Sequence, residues 1–421
     1  MNGRRIHYAW VIAAVTFLVL LAAAGFRSTV GVFVVPLQDE FGWGRDEVSL
    51  AIAINLVFYG LAAPFAAAVV ERMGARRVMM AGLGAVAVGA VLTIGMTALW
   101  QLDVLWGIVI ATATGAIAIP LSAIIATRWF VRRRGLVTGL LTASFATGNL
   151  VFLPLLAWVT DRHGWRWAVA IVAVTAAAII PVVFLLMRER PADIGMQPYG
   201  ATSDAPQTAP PAPLDNAFVA PLRVLRQAVH VRDFWLLAGT FFICGWTTNG
   251  AVQSHFIPAA HDHGIPEVTA ASLLAIIGIC DIVGATASGW LTDRTDPRRL
   301  LFLYYCLRGT SLAALPFLLQ GTQLPLVAFA IVYGLDWVAT VPPTVALTNR
   351  SFGRDQASIV FGWVFCAHML GGGMAAWLAG TFREAFGDYL IAFTGAGMLA
   401  VLAGFAALGI SQGPRPNPQP V

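Results

Sequence analysis

Apolar residues in this chain come in twelve blocks of roughly twenty, separated by short loops that carry arginine, glycine and proline. An α-helix rises about 1.5 Å per residue, so each block is long enough to cross a hydrocarbon core of about 30 Å. Such blocks must be helical, because in lipid only helices and closed barrels satisfy every backbone N–H and C=O internally. They run approximately 8–35, 47–70, 78–98, 102–127, 135–159 and 165–187, then 234–258, 269–292, 299–319, 324–348, 357–380 and 388–411. Composition excludes a soluble alternative: only 11% of residues are charged, against about 25% in soluble domains. The first block is too long for a signal-peptide core and lacks a small-residue cleavage site before a polar chain. It is expected to be a retained span.

The chain is basic, yet its 26 basic residues are all arginine and form no nucleic-acid-binding face. Most lie in the loops between spans, which is how topology is signalled. One side holds Arg4, Arg5, Arg72, Arg76, Arg77, Arg128, Arg132 to Arg134, Arg188, Arg190, Arg294, Arg298, Arg299, Arg350 and Arg354, among others; the other has Arg45, Arg162, Arg166 and Arg383. This asymmetry predicts cytoplasmic termini in a bacterial-type inner membrane. Cys244, Cys280, Cys306 and Cys366 all fall inside apolar blocks with no metal-ligand spacing, and read as inert core thiols. No metal or other cofactor is expected.

Between the sixth and seventh blocks lies a polar stretch from Arg188 to Asp233, whose middle, Ala201 to Pro213, is proline-rich and lacks large apolar residues. Such a segment packs no core and reads as a linker. The following Phe218 to Val231 places apolar residues at helical spacing around Arg223 and Arg226, as a helix on the membrane surface or a docking site would. The expected organisation is a six-helix bundle over 1–187, a cytoplasmic linker over 188–233 and a second six-helix bundle over 234–421.

The two bundles repeat. Pro36 and Pro258 lie 222 positions apart, and the same offset relates Gly42 to Gly264, Glu71 to Asp293, Arg72 to Arg294, Arg76 to Arg298 and Arg128 to Arg350. After one inserted residue it becomes 223, linking Gly139 to Gly362 and Gly164 to Gly387. Six helices, a linker and six helices in the same orientation form a parallel repeat, which places a substrate site near the bilayer midplane between halves that rock around it.

The loop after the second block, Glu71-Arg72-Met73-Gly74-Ala75-Arg76-Arg77, matches the acidic-basic-x-Gly-x-basic-basic signature of the major facilitator superfamily, which the chain therefore resembles. Its second copy contains Asp293, Arg294, Arg298 and Arg299, with Asp296 where the inner glycine would stand and, in the first copy, Ala67 at a usual glycine position. The resemblance implies that Glu71, Arg72, Arg76, Asp293, Arg294 and Arg298 form a conformational latch through charge-assisted bonds; plain topology-setting charge is the alternative. Trp129 to Gly139, with Arg132, Arg133 and Arg134 at its centre, resembles the fifth-helix signature of monocarboxylate transporters and the related oxalate/formate antiporters. The first-helix signature of that family is poorly kept at His7-Tyr8-Ala9-Trp10.

Four charges fall well inside spans: Arg27, Asp281, Arg308 and Asp336. At the centre of a membrane helix each costs about 2.5–3.5 kcal/mol, so each needs a partner or a wet cavity. The resemblance puts the first, fourth, seventh and tenth helices around the cavity. Arg27 would then grip a carboxylate with its fixed, permanently charged fork, if it is not a structural arginine. Asn249, its 222-offset partner, together with His255 and Tyr59, completes the expected substrate-binding set. Asp281 takes the position of an aspartate that monocarboxylate transporters carry on the eighth helix, but Ala285 stands where they carry arginine; Arg308 could supply that charge. Asp336, Asp281 and Arg308 are expected to carry the coupled proton, a permanent ion pair being the alternative.

The expectation is an all-α membrane protein of twelve transmembrane helices in two pseudo-symmetric bundles. It would move a small organic anion, a monocarboxylate, with protons by alternating access, as a monomer that binds no nucleic acid. A proton-driven exporter and a non-transporting membrane sensor are the alternatives. No nucleophile–base set or ligand cluster suggests an enzyme.

Overall fold

A computed structural model describes residues 7–27, 31–117, 119–201 and 219–411. Much of the proline-rich linker segment lies outside the described residues. Ten described helices are long and apolar enough to cross a membrane by length and composition. The fifth rod, Arg134–His163, and the seventh, which changes helical type midway, complete twelve.

The first block resolves into two helices rather than one continuous span. Tyr8–Arg27 forms the first rod, and a turn at residues 31–33 leads into a short helix, Val34–Phe41. Gly42 ends that helix in the left-handed region, at φ 70°, where lacking a Cβ costs nothing. The second rod, Arg45–Met73, starts from a capping bond in which the Gly44 N–H donates to Glu47 Oε2 at 2.8 Å. Ala75–Ile94 and Trp165–Leu186 are the third and sixth rods. The fourth runs in pieces from Leu99 to Trp129 and includes a π-helical stretch, Asp103–Ile110.

In the second half, the seventh rod comprises Arg232–Gly245, a π-helical Trp246–Gln253 and Ser254–Asp262. Glu267–Thr292, Pro297–Leu319 and Leu390–Leu408 are the eighth, ninth and twelfth. The tenth rod is broken: Gln323–Asp336 ends in a turn over 337–340, and helix resumes at Val341. Gly353, at φ 73°, divides the resumed helix from the eleventh rod, which ends at Phe386.

Helices in lipid gain little from burying apolar surface against one another, so tight packing through small residues must hold them. A Cβ added to Gly284 on the eighth rod would overlap the Leu335 carbonyl of the tenth. One on Gly245 would overlap the His368 carbonyl of the eleventh, and one on Gly148 the Ala24 side chain of the first. Outward faces are apolar: Trp167, Val174, Phe317, Leu324, Met398 and Leu402 are all exposed, as lipid contact requires.

The sequence repeat reappears as repeated contacts. Arg76 donates to the Phe184 carbonyl at the end of the sixth rod, and its partner Arg298 donates to the Leu408 carbonyl at the end of the twelfth. Gly31 and Gln253, 222 positions apart, approach each other: a Cβ on Gly31 would stand 2.9 Å from the Gln253 carbonyl oxygen. Two repeat partners that touch mark the pseudo-twofold axis between the halves.

The linker folds back at both described ends. Tyr199 donates its N–H to the Trp129 carbonyl at 2.8 Å and accepts from the N–H groups of Val131 and Arg132. It thereby staples the arginine-rich loop before the fifth rod. Beyond the undescribed segment, Val219–Ala228 is helical, within the stretch 218–231 that carries helical apolar spacing.

Candidate functional site

The axis locates the candidate site. Arg27 and Asn249 each stand four residues before a partner in the contact between Gly31 and Gln253, one on each half and related by the same offset. The side chain of Arg27 lies outside the described residues, so only its place at the end of the first rod is given. Asn249 sits in the π-helical stretch of the seventh rod, a distortion common at functional sites. Its amide donates to Nε2 of His368 on the eleventh rod at 2.9 Å, and His368 Nδ1–H donates to the Phe241 carbonyl at 3.1 Å. Phe365 stacks on His368 with ring centroids 5.7 Å apart, and Tyr59 of the second rod meets Phe365 at 6.2 Å. Tyr59 and Asn249 are thus joined through Phe365 and His368 across the boundary between the halves. Phe365 was not assigned from the sequence, where His368 read beside His255 either as a proton relay or substrate ligand or as a satisfied core histidine.

His255 is placed elsewhere. It is completely buried, nearer the loop-side end of the seventh rod, with Nε2–H donating to the Ala376 carbonyl at 2.7 Å. Nδ1 therefore accepts, and the Tyr389 hydroxyl at 3.1 Å is its donor. Both ring nitrogens are used within the second half.

Tyr389 belongs to a cluster that closes the end of the molecule remote from the chain termini. Arg45, at the start of the second rod, donates to Asp262 Oδ2 at 3.3 Å and to the Tyr389 hydroxyl at 3.0 Å. Its backbone N–H donates to Glu384 Oε1 at 2.6 Å, and Gln38 holds its Nε at 2.6 Å. Arg383 donates to the same Asp262 oxygen at 2.6 Å. One arginine of the first half is thereby bound to three residues of the second. Asp262 is the 222-offset partner of Glu40, which accepts from Arg166 at 2.6 Å and Trp165 at 2.7 Å within the first half. Burial pushes the Glu40 carboxyl up, but the bonds from Arg166 and Trp165 and the charge of Arg166 outweigh it. The group is held below its ordinary range.

The remaining intramembrane charges converge on the break in the tenth rod. Arg308, on the ninth rod and completely buried, donates Nε–H to Asp336 Oδ2 at 2.7 Å. Its Nη2 donates to the carbonyls of Asp336 and Trp337, which the break frees from helical pairing, and its Nη1 to the Cys244 sulfur at 2.9 Å. Asp281, on the eighth rod, accepts the N–H of Val338 at 2.9 Å. A cation thus caps the carbonyl end of one half-helix while a carboxylate holds an N–H of the turn that follows. Among the described residues, Asp336 Oδ1 is buried without a hydrogen-bond partner. The sequence brought these three charges together by depth and by the family resemblance. The missed signal for the break is Pro342-Pro343, which suits the first turn of a helix and ill suits its interior.

The six latch residues lie at the end that carries the termini. Arg76 stacks its guanidinium 4.7 Å from the Phe184 ring centroid, and Arg72 is exposed. The side chain of Glu71 lies outside the described residues. Glu189, which the sequence reading did not assign, accepts the N–H groups of Ala75 at 2.7 Å and Arg76 at 2.9 Å, with Arg128 3.8 Å away. In the second copy Asp293 is exposed, Arg294 lies 4.2 Å from the centroid of Trp290, and Arg298 pairs with Asp296 at 2.8 Å.

Two six-rod halves about an axis, with charges enclosed between apolar outer faces, define a multi-pass membrane transporter. The Major Facilitator Superfamily model matches residues 15–376, and the chain belongs to that family of transporters; it is not an enzyme. Monocarboxylate transporter 13 of Rattus norvegicus is 27% identical over 403 residues, covering 95% of this chain and 88% of that one. An uncharacterized MFS-type transporter, YcxA, of Bacillus subtilis is 23% identical, covering 91% and 90%. The crystal structure of a D-xylose–proton symporter superposes with a TM-score of 0.73 at 12% identity, covering 96% of this chain and 98% of that one. That likeness concerns the fold.

Proposed function

We propose that the protein moves a small organic anion, a monocarboxylate, together with protons by alternating access. The observation that carries the reading is the enclosed set of Arg308, Asp336 and Asp281 at the broken tenth rod, with one Asp336 oxygen unpartnered. A buried carboxylate with a free oxygen can take up a proton, and protonation weakens its hold on Arg308. The capped break then loosens, which couples proton uptake to movement of the tenth rod. Substrate class is supported by the similarity to monocarboxylate transporters and by Arg27 and Asn249 flanking the axis. In this reading Arg27 holds the carboxylate, and Asn249, Tyr59 and His368 line its path.

The arginine asymmetry puts the termini and linker in the cytoplasm. The Arg45 cluster is then the closed external gate, and the latch residues act at the cytoplasmic end. The chain works as a monomer in a bacterial-type inner membrane.

The test is uptake of labelled small carboxylates into proteoliposomes, with and without an inward proton gradient. Wild type is expected to accumulate substrate only with the gradient. Folded Arg27→Gln should lose uptake, whereas Asp336→Asn should retain exchange and lose gradient-driven accumulation. Uptake indifferent to pH in wild type would leave exchange without protons; no carboxylate uptake by folded protein would return a proton-driven exporter to the front.

A further inference from the structure

The helix Val219–Ala228 carries two opposed faces, and only one is used by the fold. Pro221, Val224, Leu225 and Ala228 turn inward, against the apolar cluster at the termini end of the second half. Two polar bonds fix the docking: Trp363 Nε1–H donates to the Pro221 carbonyl at 2.9 Å, and Gln356 donates to Gln227 Oε1 at 3.2 Å. The other face presents Val219, Leu222, Arg223 and Arg226, at the i, i+3, i+4, i+7 spacing of one helical stripe, all exposed. Four residues after Ala228 the chain enters the seventh rod at Arg232, also exposed, with Trp235 outward one turn on. The neighbouring acid, Asp233, is turned inward and accepts from Ser351 and Ser411. Apolar side chains beside unopposed arginines, immediately before a membrane span and next to an outward tryptophan, have the chemistry of a surface that meets lipid headgroups.

We infer that this stripe docks on anionic phospholipid, with Arg223, Arg226 and Arg232 on headgroup phosphates and Val219 and Leu222 in the acyl boundary, and that this docking steadies contact between the halves. The second part follows from Trp363. The ring that anchors the helix also meets Phe65 of the second rod edge-on, with centroids 5.9 Å apart, and Gly362 lies against Pro64. A helix held by lipid therefore holds Trp363 against the opposite half at the termini end.

The full chain is placed in nanodiscs of phosphatidylcholine alone, or with about one third phosphatidylglycerol, and backbone deuterium exchange is followed at low and high salt. Residues 219–231 are expected to exchange about tenfold more slowly in the anionic discs at low salt, with most of the difference lost at high salt. The segments around Phe65 and Trp363 should slow in step. Arg223→Gln with Arg226→Gln should abolish the difference, while the corresponding double lysine variant keeps it and shows that the fold is intact. Equal exchange in the two discs, or slowing that survives the glutamine pair, overturns the lipid assignment. Slowing confined to 219–231 overturns the coupling to the halves. No transport is measured, so this outcome is independent of the substrate reading.

Discussion

Arg308 shows how one buried charge is made tolerable. An unpaired guanidinium in a membrane interior is costly, and here all three of its nitrogens donate: to a carboxylate, two carbonyls and a thiol sulfur. Removing it strands Asp336 and the broken helix end together. Arg308→Leu is expected to destabilise the protein by about 3–5 kcal/mol, read as a lower unfolding midpoint in detergent. Arg308→Leu with Asp336→Asn should recover much of that loss, because no unpaired charge remains. If the double variant is no more stable than the single, the carbonyl caps rather than the ion pair dominate. The depth of Arg308 and Asp336 was legible in the sequence from their place in apolar blocks. Their bonding was not, because depth along two helices leaves the rotation of each about its own axis open.

At the scale of elements, the tenth rod departs from regular helix by breaking into a turn over 337–340. Backbone at membrane depth can leave helical pairing only where protein groups replace the lost bonds. Asp281 and Arg308 do so from the eighth and ninth rods, and Gly284 lets the eighth approach the break. Gly284→Val should push the two rods apart, at about 1–3 kcal/mol of stability, and lengthen the bond from Asp281 to Val338. Faster deuterium exchange localised to 336–341 is the expected signature; uniform acceleration through the chain would mean only general destabilisation. Likewise, the single apolar block 8–35 contains a turn at 31–33 before the short helix Val34–Phe41, a division that continuous hydrophobicity does not reveal.

Across the whole molecule, the two halves are joined at the end remote from the termini by the cluster around Arg45. An equilibrium between two arrangements shifts by the difference in free energy that a contact makes to each, so breaking this cluster should favour opening there. With spin labels at Thr97 and Asp388, both exposed and one on each half, Arg45→Gln with Asp262→Asn should raise the population at longer distances. A distance distribution unchanged from wild type would show that helix packing alone closes this end. None of these Arg45 contacts was assigned from the sequence. Arg45 and Arg383 read there only as the sparse charges of one side, since an ion pair between residues 217 positions apart leaves no local pattern.

By itself, the sequence determined twelve membrane helices, the parallel repeat and the family, because block length is set by bilayer thickness and the 222-residue offset survives as matching residues. It also placed Arg27 and Asn249 as equivalents and gave helical spacing over Phe218 to Val231, both properties of spacing along one chain. Only the tertiary structure decided that His255 belongs with Tyr389 and not with Asn249, that His368 joins Asn249, and that Asp281 and Arg308 cap a broken helix. These depend on which faces of separate helices meet, and that is settled by small-residue packing and by finding a partner for each buried polar group.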